Sequence, residues 1–153
     1  MDSMDQKIIA ALQQDGRMTN QALADAVGLS PSPCLRRVRA LEDAGLITGY
    51  AATLDREAAG LPITAFVRVK LTEHTSSVVS GFERAVASMD EVLQCHLMTG
   101  SEDYLLEVVV DSHRGYERFL RDRLNHVSGV AAIETSFSLG VIKRSSALPI
   151  GGA

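Results

Sequence analysis

Ser30-Pro31-Ser32-Pro33-Cys34-Leu35-Arg36-Arg37-Val38-Arg39-Ala40-Leu41-Glu42-Asp43-Ala44-Gly45 reads as a capped helix with an apolar seam and three arginines. Ser30 is placed to accept an orphan backbone N–H of the first turn. Pro31 sits at the first helical position, where its missing N–H costs nothing. Pro33 still lies in the turn whose N–H groups lack an intrahelical partner. Gly45 is the stop, because glycine takes the left-handed C-terminal conformation without penalty. At about 100° per residue, Cys34, Leu35, Val38 and Leu41 form one apolar arc, and Ser32, Arg36 and Arg39 form a compact polar face. Arg37 falls on the other side of the seam, where a phosphate or an internal carboxylate would meet it. A helix of this kind standing alone would expose its arginines to water and nothing more.

The chain before it changes that reading. Thr19 caps a shorter helix that runs to Val27, with Leu23, Ala24 and Val27 as a small apolar face, and Val27-Gly28-Leu29 is the tight turn between the two. Two helices in that order are the sequence form of a helix-turn-helix, whose second helix enters the DNA major groove. Ser30, Ser32, Arg36, Arg37 and Arg39 are the candidate DNA contacts. An earlier helix from about Met4 to Gln14 carries Met4, Ile8, Ile9 and Leu12, with Ser3-x-x-Gln6 as its expected capping box and Asp15-Gly16 as its end. Three short helices with facing stripes suffice for a minimal core.

After Gly45 the pattern changes. Leu46 to Leu54 has strand content, where a winged helix places its wing, and Asp55 to Pro62 reads as a connector. Ala65, Val67, Val69 and Leu71 then alternate with Phe66, Arg68 and Lys70, the mark of a half-buried strand. A helix follows from about Ser76 to Ser88, then a strand over Val92 to Met98, a turn over Thr99 to Asp103 and a strand over Tyr104 to Val110. A helix from about Arg114 to Asn125 and a strand over Val130 to Val141 complete the order β-α-β-β-α-β. That order is the ferredoxin-like arrangement. The expected organisation is α+β: a winged helix-turn-helix over 1–54, a linker over 55–62, a ferredoxin-like domain over 63–147 and a loose tail over 148–153. Two helices on one sheet face leave the other uncovered, with Phe66, Arg68, Gln94 and His96 on it. Such a face tends to bury itself against a partner, which predicts a homodimer.

Composition sets bounds. The formal charge is −4, from 15 basic and 19 acidic residues, so any DNA affinity comes from local placement rather than an overall basic character. No apolar run reaches the length of a membrane span. The polar N-terminus is unlike a signal peptide. Cys34 and Cys95 make no metal-ligand spacing, and no metal site is expected. A reduced, cytoplasmic protein is the simple expectation. Cys34 falls in the apolar seam as a small hydrophobe. Cys95 and His96, as strand neighbours, point to opposite faces. His74, His113 and His126 fall at loops and helix ends and are expected in solvent. No catalytic constellation is present, and the adjacent carboxylates of Glu102-Asp103 on a turn are weak grounds for acid–base chemistry. An enzyme is not expected.

Several pieces together resemble the Lrp/AsnC (feast/famine) family of transcription regulators. They are Asp5-x-x-Ile8-Ile9, Asp15-Gly16-Arg17, Leu23-Ala24, Gly28-Leu29-Ser30-Pro31-Ser32-Pro33, Arg37-Val38-x-x-Leu41-Glu42, Gly45-x-Ile47-x-Gly49-Tyr50, Thr99-Gly100 with Asp103-Tyr104-Leu105-Leu106, and Leu148-Pro149. The resemblance implies dimers paired through their sheets, tetramers or octamers, and a small effector, usually an amino acid, bound between dimers. It places the effector near Met98, Thr99, Gly100, Ser101, Asp103 and Tyr104, with Thr135 and Ser136 completing the pocket. Gly100 would let the backbone approach the ligand and Asp103 would meet an ammonium group; a plain turn role for Asp103 is the alternative. Where the family often has an aromatic residue before the loop aspartate, this chain has Glu102. The expected function is therefore a sequence-specific DNA-binding regulator responsive to a small effector, with no other cofactor. An effector-independent DNA-wrapping protein is the alternative, and a small-molecule-binding enzyme or enzyme-regulatory subunit a third reading.

Overall fold

The computed structural model describes residues 1–150; Gly151, Gly152 and Ala153, the end of the expected tail, lie outside the described residues. Two compact units form among the described residues, one from Met1–Thr53 with residues 142–150, the other from Leu54–Val141.

The first unit holds α1 (Ser3–Gln14), α2 (Asn20–Val27) and α3 (Pro31–Asp43). The cap of α1 is Asp2 and not the expected Ser3 box. Asp2 Oδ1 accepts the Met4 and Asp5 amides at 2.9 and 2.8 Å, and Asp5 Oδ2 accepts the Asp2 amide at 2.9 Å. Two carboxylates at a helix N-terminus also suit the helix dipole, which a serine–glutamine pair does not exploit. Thr19 caps α2 as expected, its Oγ1 accepting the Ala22 amide. Ser30 precedes α3 but its hydroxyl makes no cap bond. Pro31 and Pro33 remove two of the first three amides of the helix, so the serine has little to accept from. Ile8, Leu23, Ala24, Cys34, Val38 and Leu41 form the core of the unit. Leu35, expected in the apolar arc, is 37% exposed.

Two further expectations for this unit change. The segment 46–54 forms no strand. Its start folds back instead, the Leu46 and Ile47 amides both donating to the Leu41 carbonyl, and Tyr50 donates its hydroxyl to Glu42. Strand-forming residues without a partner strand make no ladder. Residues 148–150 are not loose: Gln13 Nε2 donates to the Leu148 carbonyl at 3.1 Å, the Leu148 amide donates to Gln13 Oε1, and Ile150 packs against the helical core.

The second unit follows the β-α-β-β-α-β order. It contains β1 (Ile63–Leu71), α4 (Ser76–Ala87), β2 (Val92–Leu97), β3 (Tyr104–Val110), α5 (His113–Asp122), a 3-10 turn at Leu124–His126 and β4 (Val130–Phe137). The sheet is antiparallel with the order β2-β3-β1-β4. Ala65, Val67, Val69, Leu106 and Val108 meet Phe82, Val86, Phe119 and Leu124 in one core. β4 ends at Phe137 and not at Val141, because its partner β1 begins at Ile63; only the Ser138 amide still reaches the Thr64 carbonyl. The last turn of α5 tightens into the 3-10 turn short of the expected end at Asn125. On the opposite sheet face Phe66, Arg68, Gln94 and His96 are exposed, Phe66 by 38%. The connector lies over one end of that face, with Arg56 donating to Thr64 Oγ1 and Glu107 Oε1, both at 2.8 Å.

Candidate functional site

Two sites are built, one in each unit. In the helical unit the turn between α2 and α3 is made by Gly28, which ends α2 with φ +74°, a conformation a side chain would strain. Asn20 Nδ2 donates to the Pro31 carbonyl at 2.9 Å, tying the start of α2 to the start of α3. Burial of Cys34, Val38 and Leu41 fixes the rotation of α3. The opposite side then carries Ser32, Arg36 and Arg39, which line a shallow concavity of about 390 Å³ with Leu35, Ala40 and Asp43. Among the described residues neither Arg36 nor Arg39 forms an ion pair. Ser30 is exposed at the head of the helix.

Arg37 is different. Its Nη1 lies 2.7 Å from Asp5 Oδ1 and 2.8 Å from Asp2 Oδ2, so of the two partners its position allowed, the internal carboxylates hold it. The hydrogen bonds to Asp5 and Asp2 push the guanidinium pKa further up. The Asp5 backbone amide, followed by Arg37, holds the Asp2 carboxyl below its ordinary value.

In the second unit, the residues 98–103 join β2 to β3. Met98 N–H donates to the Asp103 carbonyl at 2.8 Å and Asp103 N–H donates to the Val69 carbonyl at 2.9 Å, so the loop is pinned at its base. Among the described residues the amides of Thr99, Gly100, Ser101 and Glu102 donate to no backbone carbonyl outside regular structure. Gly100 has φ +118° with open space where a Cβ would stand. The Asp103 carboxylate is 20% exposed; its Oδ2 accepts the Leu71 amide and its Oδ1 meets His74 Nε2, both at 2.7 Å. The Leu71 amide, then His74, hold this carboxyl below the ordinary aspartate range.

The other expected effector residues do not join this loop within one chain. Tyr104 is buried, its ring 4.6 Å from that of Phe82 and its hydroxyl donating to Glu83 Oε1. Burial and Glu83 push its phenol up to about 12. Thr135 hydrogen-bonds to the Tyr116 hydroxyl on the helix-covered side. Ser136, its strand neighbour, points to the opposite face. They pair with Val67 and Phe66, while the loop lies beside Leu71 across β1. His74 is exposed, as expected of a loop histidine; its hydrogen bond to Asp103 is the contact that sequence reasoning missed, since its place four residues beyond Lys70 carries no motif. His113 is exposed at the start of α5, as expected, with its ring edge-on to Phe137 at a centroid distance of 5.0 Å.

The sequence matches the model of the Lrp/AsnC ligand binding domain over residues 64–148 and that of a winged helix-turn-helix DNA-binding domain over residues 1–48. The chain belongs to the Lrp/AsnC family. The DNA-binding transcriptional activator DecR of Escherichia coli K12 is 41% identical over 150 residues, covering 98% of this chain and 99% of that protein. The leucine-responsive regulatory protein of Salmonella typhimurium is 37% identical, covering 98% and 92%. A transcriptional regulator from Neisseria meningitidis, solved as its L-Met complex, superposes with a TM-score of 0.94 at 40% identity, covering 97% and 96% of the two chains. This Lrp/AsnC chain is accordingly a DNA-binding transcriptional regulator with a small-molecule-binding domain, and not an enzyme. No helix among the described residues is long and apolar enough to cross a membrane.

Proposed function

We propose that this regulator reads DNA through Ser32, Arg36 and Arg39 of α3 and takes an amino acid as effector at the 98–103 loop. The carrying observation is that the loop presents a carboxylate beside backbone amides that donate to no backbone carbonyl. Asp103 offers a carboxylate to an ammonium group, and the amides of residues 99–101 offer donors to a carboxylate, the two ends of a free amino acid. The L-Met complex of the Neisseria relative supports the class of ligand.

The exposed sheet face with Phe66 is the surface through which two copies pair, and a dimer sets two α3 helices on successive major-groove segments about 34 Å apart or a multiple of that. Tetramers or octamers bring the loop of one dimer against the next, where Ser136 of another copy completes the pocket. Effector binding acts by differing affinity for two assembly states, since equal affinity shifts nothing. Work on the chromosome places the protein in the cytoplasm. Effector-independent DNA wrapping is the reading against which this one is tested.

The test is a thermal-shift panel with each of the twenty amino acids, L-methionine first, alongside binding to its promoter DNA. Occupancy at 100 times the dissociation constant adds about 2.7 kcal/mol of stability. A raised melting temperature with one amino acid, lost in Asp103→Ala, supports the reading. A flat panel with DNA binding intact favours wrapping without an effector.

A further inference from the structure

The loop carboxylate already has two partners, and they differ in kind. The Leu71 amide on Asp103 Oδ2 belongs to the end of β1 and is fixed by the sheet. His74 on Oδ1 comes from the short segment between β1 and α4, is 68% exposed and makes no other hydrogen bond among the described residues. We propose that His74 is a tethered competitor, its imidazole filling the seat on Asp103 Oδ1 that an effector ammonium takes, so that the ligand binds only as His74 leaves and binds more weakly as pH falls. This rests on the reading of the loop as the effector site.

The physics is an exchange of one N–H donor for another on the same oxygen. A neutral imidazole donates a single hydrogen bond to the carboxylate. A protonated one adds a full positive charge and holds more firmly. Histidine is the side chain that changes charge between about pH 5 and 8. Among the described residues Lys70 at the end of β1 acts on Asp103, and Glu73 and Glu102 are the charged sequence neighbours of the pair. Carboxylates and lysines as classes titrate outside that interval, and the α-ammonium of a free amino acid, beside its own carboxylate, titrates above it. The apparent affinity falls by the fraction of molecules in which the seat is open, so closure in about nine molecules of ten costs about tenfold.

The measurement is calorimetric titration of the full-length protein with L-methionine, and with any other amino acid that the thermal panel selects, at about pH 6 and pH 8. Wild type, His74→Ala, His74→Gln and Asp103→Asn are compared, each checked for an unchanged melting profile. The expected result is that His74→Ala binds about three- to tenfold more tightly than wild type at pH 6, and that both His74 variants lose the pH slope. Asp103→Asn loses binding. Equal affinity and equal slope in wild type and His74→Ala overturn the competitor. Weaker binding by His74→Ala overturns it too, and makes His74 a direct ligand contact. Absence of binding by folded wild type at both pH values sinks the effector reading itself, and the competitor with it.

Discussion

Arg37 on α3 reaches across to Asp5 in the first turn of α1, Nη1 to Oδ1 at 2.7 Å, and the same nitrogen also meets Asp2. The arginine between Arg36 and Arg39 thus serves the fold of the helical unit. A phosphate contact and an internal ion pair make different predictions. Arg37→Met should lower the melting temperature of the protein while leaving the dependence of DNA binding on salt unchanged. Removing a phosphate contact would reduce the salt slope by about one. Fluorescence anisotropy over a salt series, run beside a thermal melt, separates the two.

Arg36 and Arg39 should behave in the opposite way. Neither pairs with a carboxylate among the described residues, and both flank the concavity on the exposed side of α3. Replacing either with alanine should weaken binding to promoter DNA by about 5- to 150-fold, the range for one lost base contact of about 1–3 kcal/mol. The melting temperature should stay where it is. A loss confined to thermal stability would remove that arginine from the reading face.

Phe82 tests the packing of the second unit. It is fully buried, lies tilted against the Tyr104 ring and packs between α4 and the sheet. Phe82→Ala should cost about 3–5 kcal/mol. The loss should appear in chemical denaturation as an early transition, with faster amide exchange along β1 and β3. The helical unit has its own core around Ile8 and Leu23, so its amides should keep their protection.

The alternation of Val67, Val69 and Leu71 against Phe66 and Arg68 is a local pattern, and the strand it specifies is present with that alternation intact. The seam of Cys34, Val38 and Leu41 is local too, and it set the face on which Arg36 and Arg39 stand. The misreadings involve competition or distance. Asp2 displaced the expected Ser3 cap because two chemically adequate caps lay one residue apart. The wing content of 46–54 was real, but a strand exists only against another strand. The contact between Leu148 and Gln13 joins residues 135 positions apart, and nothing local announces it. His74 reaches Asp103 from another loop for the same reason, and the family pattern of the loop did not include it.

Asp103 carries the pH prediction. The Leu71 amide and His74 stabilise its charged form, so its pKa in the folded protein lies below the value near 3.9 expected of an unfolded aspartate. A carboxyl depressed on folding contributes stability that is fully present above the unfolded value and is lost as pH falls through the folded one. Asp103→Ala should therefore be less stable than wild type at pH 7, where the Leu71 amide loses its acceptor and His74 its partner. The gap between the two proteins should narrow below about pH 4 and close once both forms of wild type are protonated. Urea midpoints measured at intervals from pH 7 to about pH 2.5 give the comparison. A gap that stays constant over the whole range would mean that the side chain acts through packing or a neutral hydrogen bond, and that its charge is not what anchors the loop to the end of β1.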